Sequence, residues 1–508
     1  MDRRSFIRLG ASSAGAFALG GMSACAPAPD PPTEVFAQGV ASGLHSDREV
    51  VLWTRVEPLV APGVGEATWL VARDRALTQI IASGTAAVDA DADHTVKLLV
   101  DGLPSDTTFW YRFTAAGVDS PIGRARTLPA ATDEPTLLRL AFASCQSYSN
   151  GFYAAWRDVA SRDLDAVVFL GDFIYESGAI SLLSSVRPEP FAEATTLEDY
   201  RAKYRLYRRD PDLQAAQAAH PWVVVWDDHE FYNDWDRLSI VNDPVRFAAA
   251  TTAWFDHQPI WRDRTTGHAL RIHRSLRWGR LAELIMLDTR QYRDTKGPSF
   301  LGAGFRDGEY NRPDRTIMGV EQKAWFLDRL STTQADGVPW KLIGNQVLFG
   351  PQRVWDLDSP ELRRIFTGLT DHAGLYTGMD TWDGFPVERE AVLEHLRQGA
   401  ITGTTFLTGD IHSFWVGGVR VDIDDDTSPV VAHDFASGSI SSSPGGLGSA
   451  FAAGGTPLSP AWDLIDASRN GYGIIECTPT TATVRFIGHD ARFRNVTPSE
   501  FASFDLTT

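Results

Sequence analysis

Asp165-Ala166-Val167-Val168-Phe169-Leu170-Gly171-Asp172-Phe173-Ile174-Tyr175 is the stretch whose reading decides the fold. Its short apolar run of β-branched and aromatic residues is too short for a helix and reads as a fully buried strand. The run stops at Gly171-Asp172, where glycine lets the backbone turn sharply and Asp172 leaves the sheet's edge rather than entering its core. Taken alone, such an aspartate is equally well explained as a turn cap. Four other apolar runs end in the same way, on Cys145, on Asp228-His229, on Asn345 and on Asp410-Ile411-His412. Strand ends of an α/β fold converge in space, so five such endings would gather O, N and S donors around one point. The repetition carries the reading.

A chain of 508 residues implies more than one domain. The net charge of −18 argues against a general nucleic-acid binder, which needs a basic face. It leaves room for a phosphate substrate, because bound cations invert the local field. At the start, Asp2-Arg3-Arg4-Ser5-Phe6-Ile7-Arg8 is a twin-arginine sequence, followed by a Gly/Ala-rich stretch, Leu9 to Ala24, too short for a good membrane span. The pattern resembles a Tat export signal over residues 1–30. It implies passage through the Tat machinery and a periplasmic or extracellular protein. Met22-Ser23-Ala24-Cys25 resembles a lipoprotein box, with Met22 where leucine is usual; lipidation of Cys25 and an Ala-x-Ala cut near Ala26 to Ala28 both stay open. Cys477 lies in an apolar run where a small buried residue is expected. Cys145 would be a lone thiol in an oxidising compartment, a costly arrangement unless a metal holds it.

Along the chain, residues 33–130 read as an N-terminal β-sandwich of immunoglobulin or fibronectin type. Glu49–Val56, Ala67–Ala72, His94–Val100 and Thr108–Phe113 are its clearest strands. It carries no cluster of catalytic residue types and is expected to pack beside the rest. A Pro/Thr/Asp linker, Leu128 to Thr136, leads into a catalytic region over 136–508. There, strands at Leu137–Ser144, Asp165–Leu170, Trp222–Trp226, Ala282–Leu287, Trp340–Gly344, Thr404–Thr408 and Pro429–Phe435 alternate with helices. The helices are expected at Gly151–Arg162, Thr196–Arg209, Asp243–His257, Val320–Thr333 and Val387–Gln398. This rhythm gives an α/β or layered-sheet core, closed by a hairpin of Tyr472–Thr478 with Ala482–Ile487. Ser437–Gly455 is Gly/Ser-rich and reads as a mobile surface loop.

The five endings differ as chemistry. Cys145, Tyr175 and His412 suit a transition metal such as Fe(III). Asp228, Asn345 and Asp410 are oxygen donors for a hard ion such as Ca²⁺, Mg²⁺ or Mn²⁺, and Asp172 has two oxygens with which to bridge the pair. Paired metals clamp the attacking and leaving oxygens of phosphoryl displacement, so the expected reaction is hydrolysis of a phosphate ester by a metal-bound hydroxide. His229 would hold a phosphate oxygen or protonate the leaving group.

Phe142-Ala143-Ser144-Cys145-Gln146, Gly171-Asp172-Phe173-Ile174-Tyr175, Trp226-Asp227-Asp228-His229-Glu230, Gly344-Asn345-Gln346-Val347 and Leu407-Thr408-Gly409-Asp410-Ile411-His412-Ser413 resemble the ordered motifs of the PhoD-type alkaline phosphatases. Leu287–Arg293, Asp380–Pro386 and Gly39–Gly43 are similar to that family too, so the resemblance covers almost the whole chain. It implies a calcineurin-like metallophosphatase core, a four-layer αββα sandwich preceded by the β-sandwich. It also implies Fe(III) with Ca²⁺, and activity on phosphate monoesters and diesters at alkaline pH. Carried over by position, it puts Cys145, Asp172, Tyr175 and His412 on iron, and Asp172, Asp228, Asn345 and Asp410 on the second metal. His229 and Arg290 would meet the phosphate. A third metal is common in the family, and its ligands are not assigned by the resemblance.

Each residue has a plainer alternative: a turn cap for Asp172, core packing for Tyr175, a satisfied structural histidine for His229, a turn residue for Asn345, a surface ion pair for Arg290. Asp236, Asp383 and His433 are read as structural. Rival functions are a phosphodiesterase or phospholipase-D-like hydrolase on the same core, distinguished by the pocket loops Ser177–Glu193 and Ile440–Pro460, and a non-enzymatic surface protein. A zinc hydrolase is disfavoured by the scarcity of cysteine and histidine in the set.

Overall fold

Ala166–Phe169 forms the expected strand, buried along its whole length, in the middle of a 9-stranded sheet. The computed structural model describes residues 34–178, 185–262, 270–297, 304–305, 308–356, 374–376, 378–423, 425, 427–443 and 461–508. Across this sheet the order is Ser499–Thr507, Thr481–His489, Asn470–Cys477, Leu138–Ala143, Ala166–Phe169, Pro221–Val224, Val40–Leu44, Val50–Arg55 and Thr95–Val100. Leu138–Ala143, Ala166–Phe169 and Pro221–Val224 run parallel. Near-continuous apolar sequence is what a parallel strand covered on both faces requires. Their carboxyl ends therefore lie at one edge, followed by Cys145, Asp172 and Asp227-Asp228.

A 7-stranded sheet repeats the arrangement, in the order Arg274–Trp278, Ala282–Met286, Trp340–Asn345, Thr404–Thr408, Val430–Ala436, Phe414–Arg420 and Leu464–Asp466. Its four strands from Ala282–Met286 to Val430–Ala436 are parallel, so Asn345 and the turn at Asp410 share an edge. Successive residues face opposite ways. Leu342 joins the same apolar cluster as Phe142 and Val168 of the first sheet, whereas Ile343 packs with Phe326 and Leu393 of the helices Gly319–Ala335 and Pro386–Gln398. The result is an α/β mixed-sheet fold with its core between and outside the two sheets.

The helices follow their sequence signals closely. Thr196 caps Leu197–Tyr207 through a capping box with Asp199, and Asp243 caps Pro244–His257. Asp236, left as structural, caps the short helix Arg237–Asn242, and Asp383 is paired to Arg389 in the core.

Two expectations are corrected. The N-terminal region does not simply pack beside the core: Val40–Leu44 pairs in parallel with Pro221–Val224, Ser42 opposite Pro221 and Gly43 opposite Trp222. Val50–Arg55 and Thr95–Val100 extend that same sheet. The other N-terminal strands, Ile80–Ala87, Glu66–Ala72, Thr108–Ala115, Val118–Asp119 and Gly123–Arg126, form a separate sheet. Within Ser437–Gly455, residues 437–442 are not a surface loop, since Ser437, Ser439, Ile440, Ser441 and Ser442 are buried; Ser443 is exposed, and 444–455 lie outside the described residues. The hydroxyls of Ser439, Ser441 and Ser442 each find a backbone carbonyl, which lets small polar side chains be buried and which composition alone does not reveal.

Candidate metal centre

Four of the strand-end residues sit in left-handed backbone geometry: Cys145 (φ 59°), Asp172 (φ 59°), Asp410 (φ 63°) and His412 (φ 55°). Non-glycine residues rarely adopt it, and such conformations concentrate at functional sites. Gly171, directly before Asp172, stands at φ 110°. A Cβ there would lie 2.3 Å from the Asp227 Cβ and 2.6 Å from its backbone nitrogen, so only glycine lets the two strand ends approach.

Around Asp172 the side chains form a first group. Cys145, Asp172 and His412 offer ligand atoms within 4.8 Å of one another. Tyr175 joins them, its hydroxyl 2.9 Å from Asp172 Oδ2 and 3.1 Å from His412 Nε2. His412 Nδ1 lies 3.0 Å from the Ser443 carbonyl; donation there makes Nε2 the lone-pair nitrogen that faces the group. Burial holds His412 down, to about 4, so the ring is neutral at neutral pH. Ser442, from the buried part of the Gly/Ser-rich stretch, lies 2.7 Å from the Tyr175 hydroxyl and 2.9 Å from the Cys145 carbonyl.

A second group shares Asp172. It contains Asp172, Asp228 and His229, and beside it stand Asp227, Asp228 and Asp410. A further set, Asp228, Asp234 and Asp380, continues outward. Asn345 is 0% exposed, with Oδ1 accepting from Trp382 Nε1 at 3.2 Å and Nδ2 donating to the Val347 carbonyl and to Thr408 Oγ1.

Arg290, expected at the substrate or on the surface, is 0% exposed. Nε donates to Asp227 at 2.5 Å and Nη1 to Asp380 at 2.7 Å, and Nη2 lies 3.7 Å from Asp228 and 3.6 Å from Asp410. Arg293 pairs with Asp380 from the other side. Although burial alone would raise the Asp228 carboxyl, Arg290 and His229 hold it below its ordinary value.

His229 stands over the Tyr175 ring, centroids 4.1 Å apart, with Nδ1 2.7 Å from Glu176 Oε2. Burial would lower its pKa, but Asp228, Asp172 and Glu176 outweigh burial and raise it well above the usual histidine value. Glu230 is the anchor of the two turns. Its carboxylate accepts from the backbone N–H of Asp172 (2.9 Å), Phe173 (2.6 Å) and Asp227 (2.8 Å).

The structure therefore brings together Cys145, Asp172, Tyr175, Asp228, His229, Asp410 and His412, while the hydrogen bonds of Asn345 run to Trp382, Val347 and Thr408; the groups that support them were not singled out in the sequence. Asp227, Glu176, Glu230 and Asp380 lie inside or next to motifs already singled out, and a count of unpaired carboxylates there would have flagged them. No sequence signal marks Ser442.

Residues 140–486 match the PhoD-like phosphatase family, and residues 22–129 match its companion, PhoD-like phosphatase, N-terminal domain. The chain belongs to the PhoD-like phosphatase family. It is 33% identical over 502 residues to "Alkaline phosphatase D" of Bacillus subtilis (strain 168), across 94% of this chain and 82% of that protein. A solved structure described as "Structure of PhoD" superposes with a TM-score of 0.83 at 31% identity, covering 94% of this chain and 92% of the other. As a PhoD-like phosphatase the protein is a phosphoric ester hydrolase.

The donor set in this phosphatase fits bound cations. Burial first, then neighbouring carboxylates, push Cys145, Asp172 and Asp410 well above their ordinary pKa values. Among the described residues, the cations against these groups are His229 and Arg290. Such a thiol-carboxylate-imidazole cluster gains its charge when metal ions replace protons.

Proposed function

We propose that this phosphatase hydrolyses phosphate mono- and diesters at a two- or three-metal site. Asp172 carries the reading: it belongs at once to the Cys145–His412 group and to the Asp228–His229 group. One carboxylate shared between a softer and a harder donor set is what a mixed metal pair needs. Cys145, Asp172, Tyr175 and His412 would hold Fe(III). Asp172, Asp228, Asn345 and Asp410 would hold Ca²⁺, with Mn²⁺ or Mg²⁺ as substitutes. Asp228, Asp234 and Asp380 are the candidates for a third ion. When bound, the ions supply Lewis acidity and activate water for in-line attack.

The chain's own residues supply the rest. Glu176 fixes His229 through Nδ1, which leaves Nε2 to bind a phosphate oxygen and to protonate the leaving group. Arg290 holds Asp227 and Asp380 in place. Its Nη2 has no hydrogen-bond partner and is the part of Arg290 left for the phosphate contact expected of it. The proposed architecture is a four-layer αββα metallophosphatase over 136–508 behind an immunoglobulin-like sandwich over 33–130. Residues 1–30 are proposed as a Tat signal that leads to a periplasmic or extracellular protein, with Cys25 the point of lipid attachment if the lipoprotein box is used.

Elemental analysis of the purified protein, with hydrolysis of p-nitrophenyl phosphate and its bis ester with and without Ca²⁺, tests the proposal. Iron near one per chain and Ca²⁺-dependent turnover are expected, and the ratio of the two rates ranks monoester against diester. Full turnover after exhaustive chelation would overturn the metal assignment.

A further inference from the structure

Arg208 is 0% exposed at the C-terminal cap of Leu197–Tyr207. Its guanidinium lies 4.0 Å from the ring of Trp53, in the N-terminal part of the large sheet, and 5.0 Å from the ring of Phe173, next to Asp172. The comparably buried Arg290, Arg293 and Arg389 each have an aspartate. Arg208 has none among the described residues. Nη1 donates to Gln217 Oε1 at 2.8 Å, Nη2 to the His257 carbonyl and, at 3.5 Å, to Gln258 Oε1. Nε has no partner. Burial lowers Arg208 to about 9, which leaves it charged at neutral pH.

An isolated buried charge is penalised by more than stacking on aromatic rings returns. The surroundings tilt the balance further. Gln217 and Gln258 turn their carbonyl oxygens to the guanidinium, and their amide Nε2 donors are buried without partners. So is the hydroxyl of Tyr204, whose ring stacks between Phe173 and His257. Two acceptors are unpartnered there as well, Gln214 Oε1, whose amide donates to the Arg208 carbonyl, and His257 Nδ1, but the four unpartnered donors outnumber them around an unneutralised cation. Water brings as many donors as acceptors. A small singly charged ion that only accepts answers both deficits.

We propose that Arg208 binds a buried chloride through Nε, with the amide Nε2 groups of Gln217 and Gln258 and the Tyr204 hydroxyl completing the shell. The ion lies behind the Asp172 turn, at the seam between the N-terminal strands and the phosphatase core. It neutralises the arginine without a carboxylate and ties the two regions together.

A crystal structure of the full protein grown in sodium bromide, with data at the bromine edge, reads the site directly. An anomalous peak beside Arg208 Nε is expected; a water or no density there overturns the proposal. In solution, thermal unfolding in chloride is compared with gluconate at equal ionic strength. The wild type is expected to gain in Tm as chloride rises, through ligand linkage to the folded state, and Arg208→Met to lose that gain. Equal Tm in the two salts for the wild type overturns it as well. Should Arg208→Met fail to fold, the bromide structure decides.

Discussion

Asp172 meets two demands with one side chain. Its backbone stands at φ 59°, a conformation an aspartate adopts more readily than most residues, and its carboxylate serves two neighbouring donor groups. Asn keeps the shape and loses the charge. Asp172→Asn is therefore expected to lower the content of both metals and to reduce hydrolysis by more than the ~10–100-fold typical of groups one step removed from a metal; elemental analysis with a p-nitrophenyl phosphate assay checks it. His229 separates differently. It is held by Glu176, so His229→Ala is expected to cut turnover by about 100-fold or more with metal content unchanged. Loss of metal in that variant would recast the histidine as a ligand. These residues were legible in the sequence because each closes an apolar run. Arg290 was legible only as a motif member: its burial among Asp227, Asp380, Asp228 and Asp410 depends on three segments distant in sequence.

At the scale of elements, the unit that matters is a pair of adjacent parallel strands whose following turns are bound to one another. Ala166–Phe169 and Pro221–Val224 end side by side, and Glu230 accepts three backbone N–H groups from the turns beyond them. The strands were readable from their apolar runs. The clamp was not, because a glutamate after a histidine has no periodicity to betray it. Glu230→Ala would leave three buried donors without an acceptor. At ~1–3 kcal/mol for each unsatisfied group, a loss of about 3 kcal/mol or more in urea unfolding is expected, and a variant as stable as wild type would show that the turns hold without it. The Gly/Ser stretch failed for a related reason. Polar, aperiodic sequence reads as solvated loop, yet Ser439, Ser441 and Ser442 are buried and spend their hydroxyls on the backbone carbonyls of Ser442, Ser147 and Cys145 respectively.

For the whole molecule, the feature least visible in the sequence is the parallel pairing of Val40–Leu44 with Pro221–Val224, a contact between segments almost two hundred residues apart that no local pattern encodes. It makes the N-terminal region part of the phosphatase sheet, a bond reinforced where Asp93 meets Arg205 and His257. Deleting residues 34–130 would leave Pro221–Val224 as a bare apolar edge; the shortened protein is expected to aggregate, and a soluble, monomeric product on size exclusion would contradict this. Stability should also carry the mark of buried histidines. His220 is buried, with Nε2 2.9 Å from the Val159 carbonyl and Nδ1 3.2 Å from Arg124 Nη1. A guanidinium can only donate, so Nδ1 accepts and the ring is neutral. Burial, aided by Arg124, lowers its pKa to about 4 from an ordinary 6.5. The unfolded chain then binds more protons between these two values, so stability is complete above about pH 6.5 and falls as the pH drops toward 4. The slope from this one residue is about 1.4 kcal/mol per pH unit. Urea unfolding from pH 7.5 to 4.5 is expected to show that decline in the wild type, and a shallower one in His220→Asn; identical slopes would mean that His220 is not held neutral by the fold.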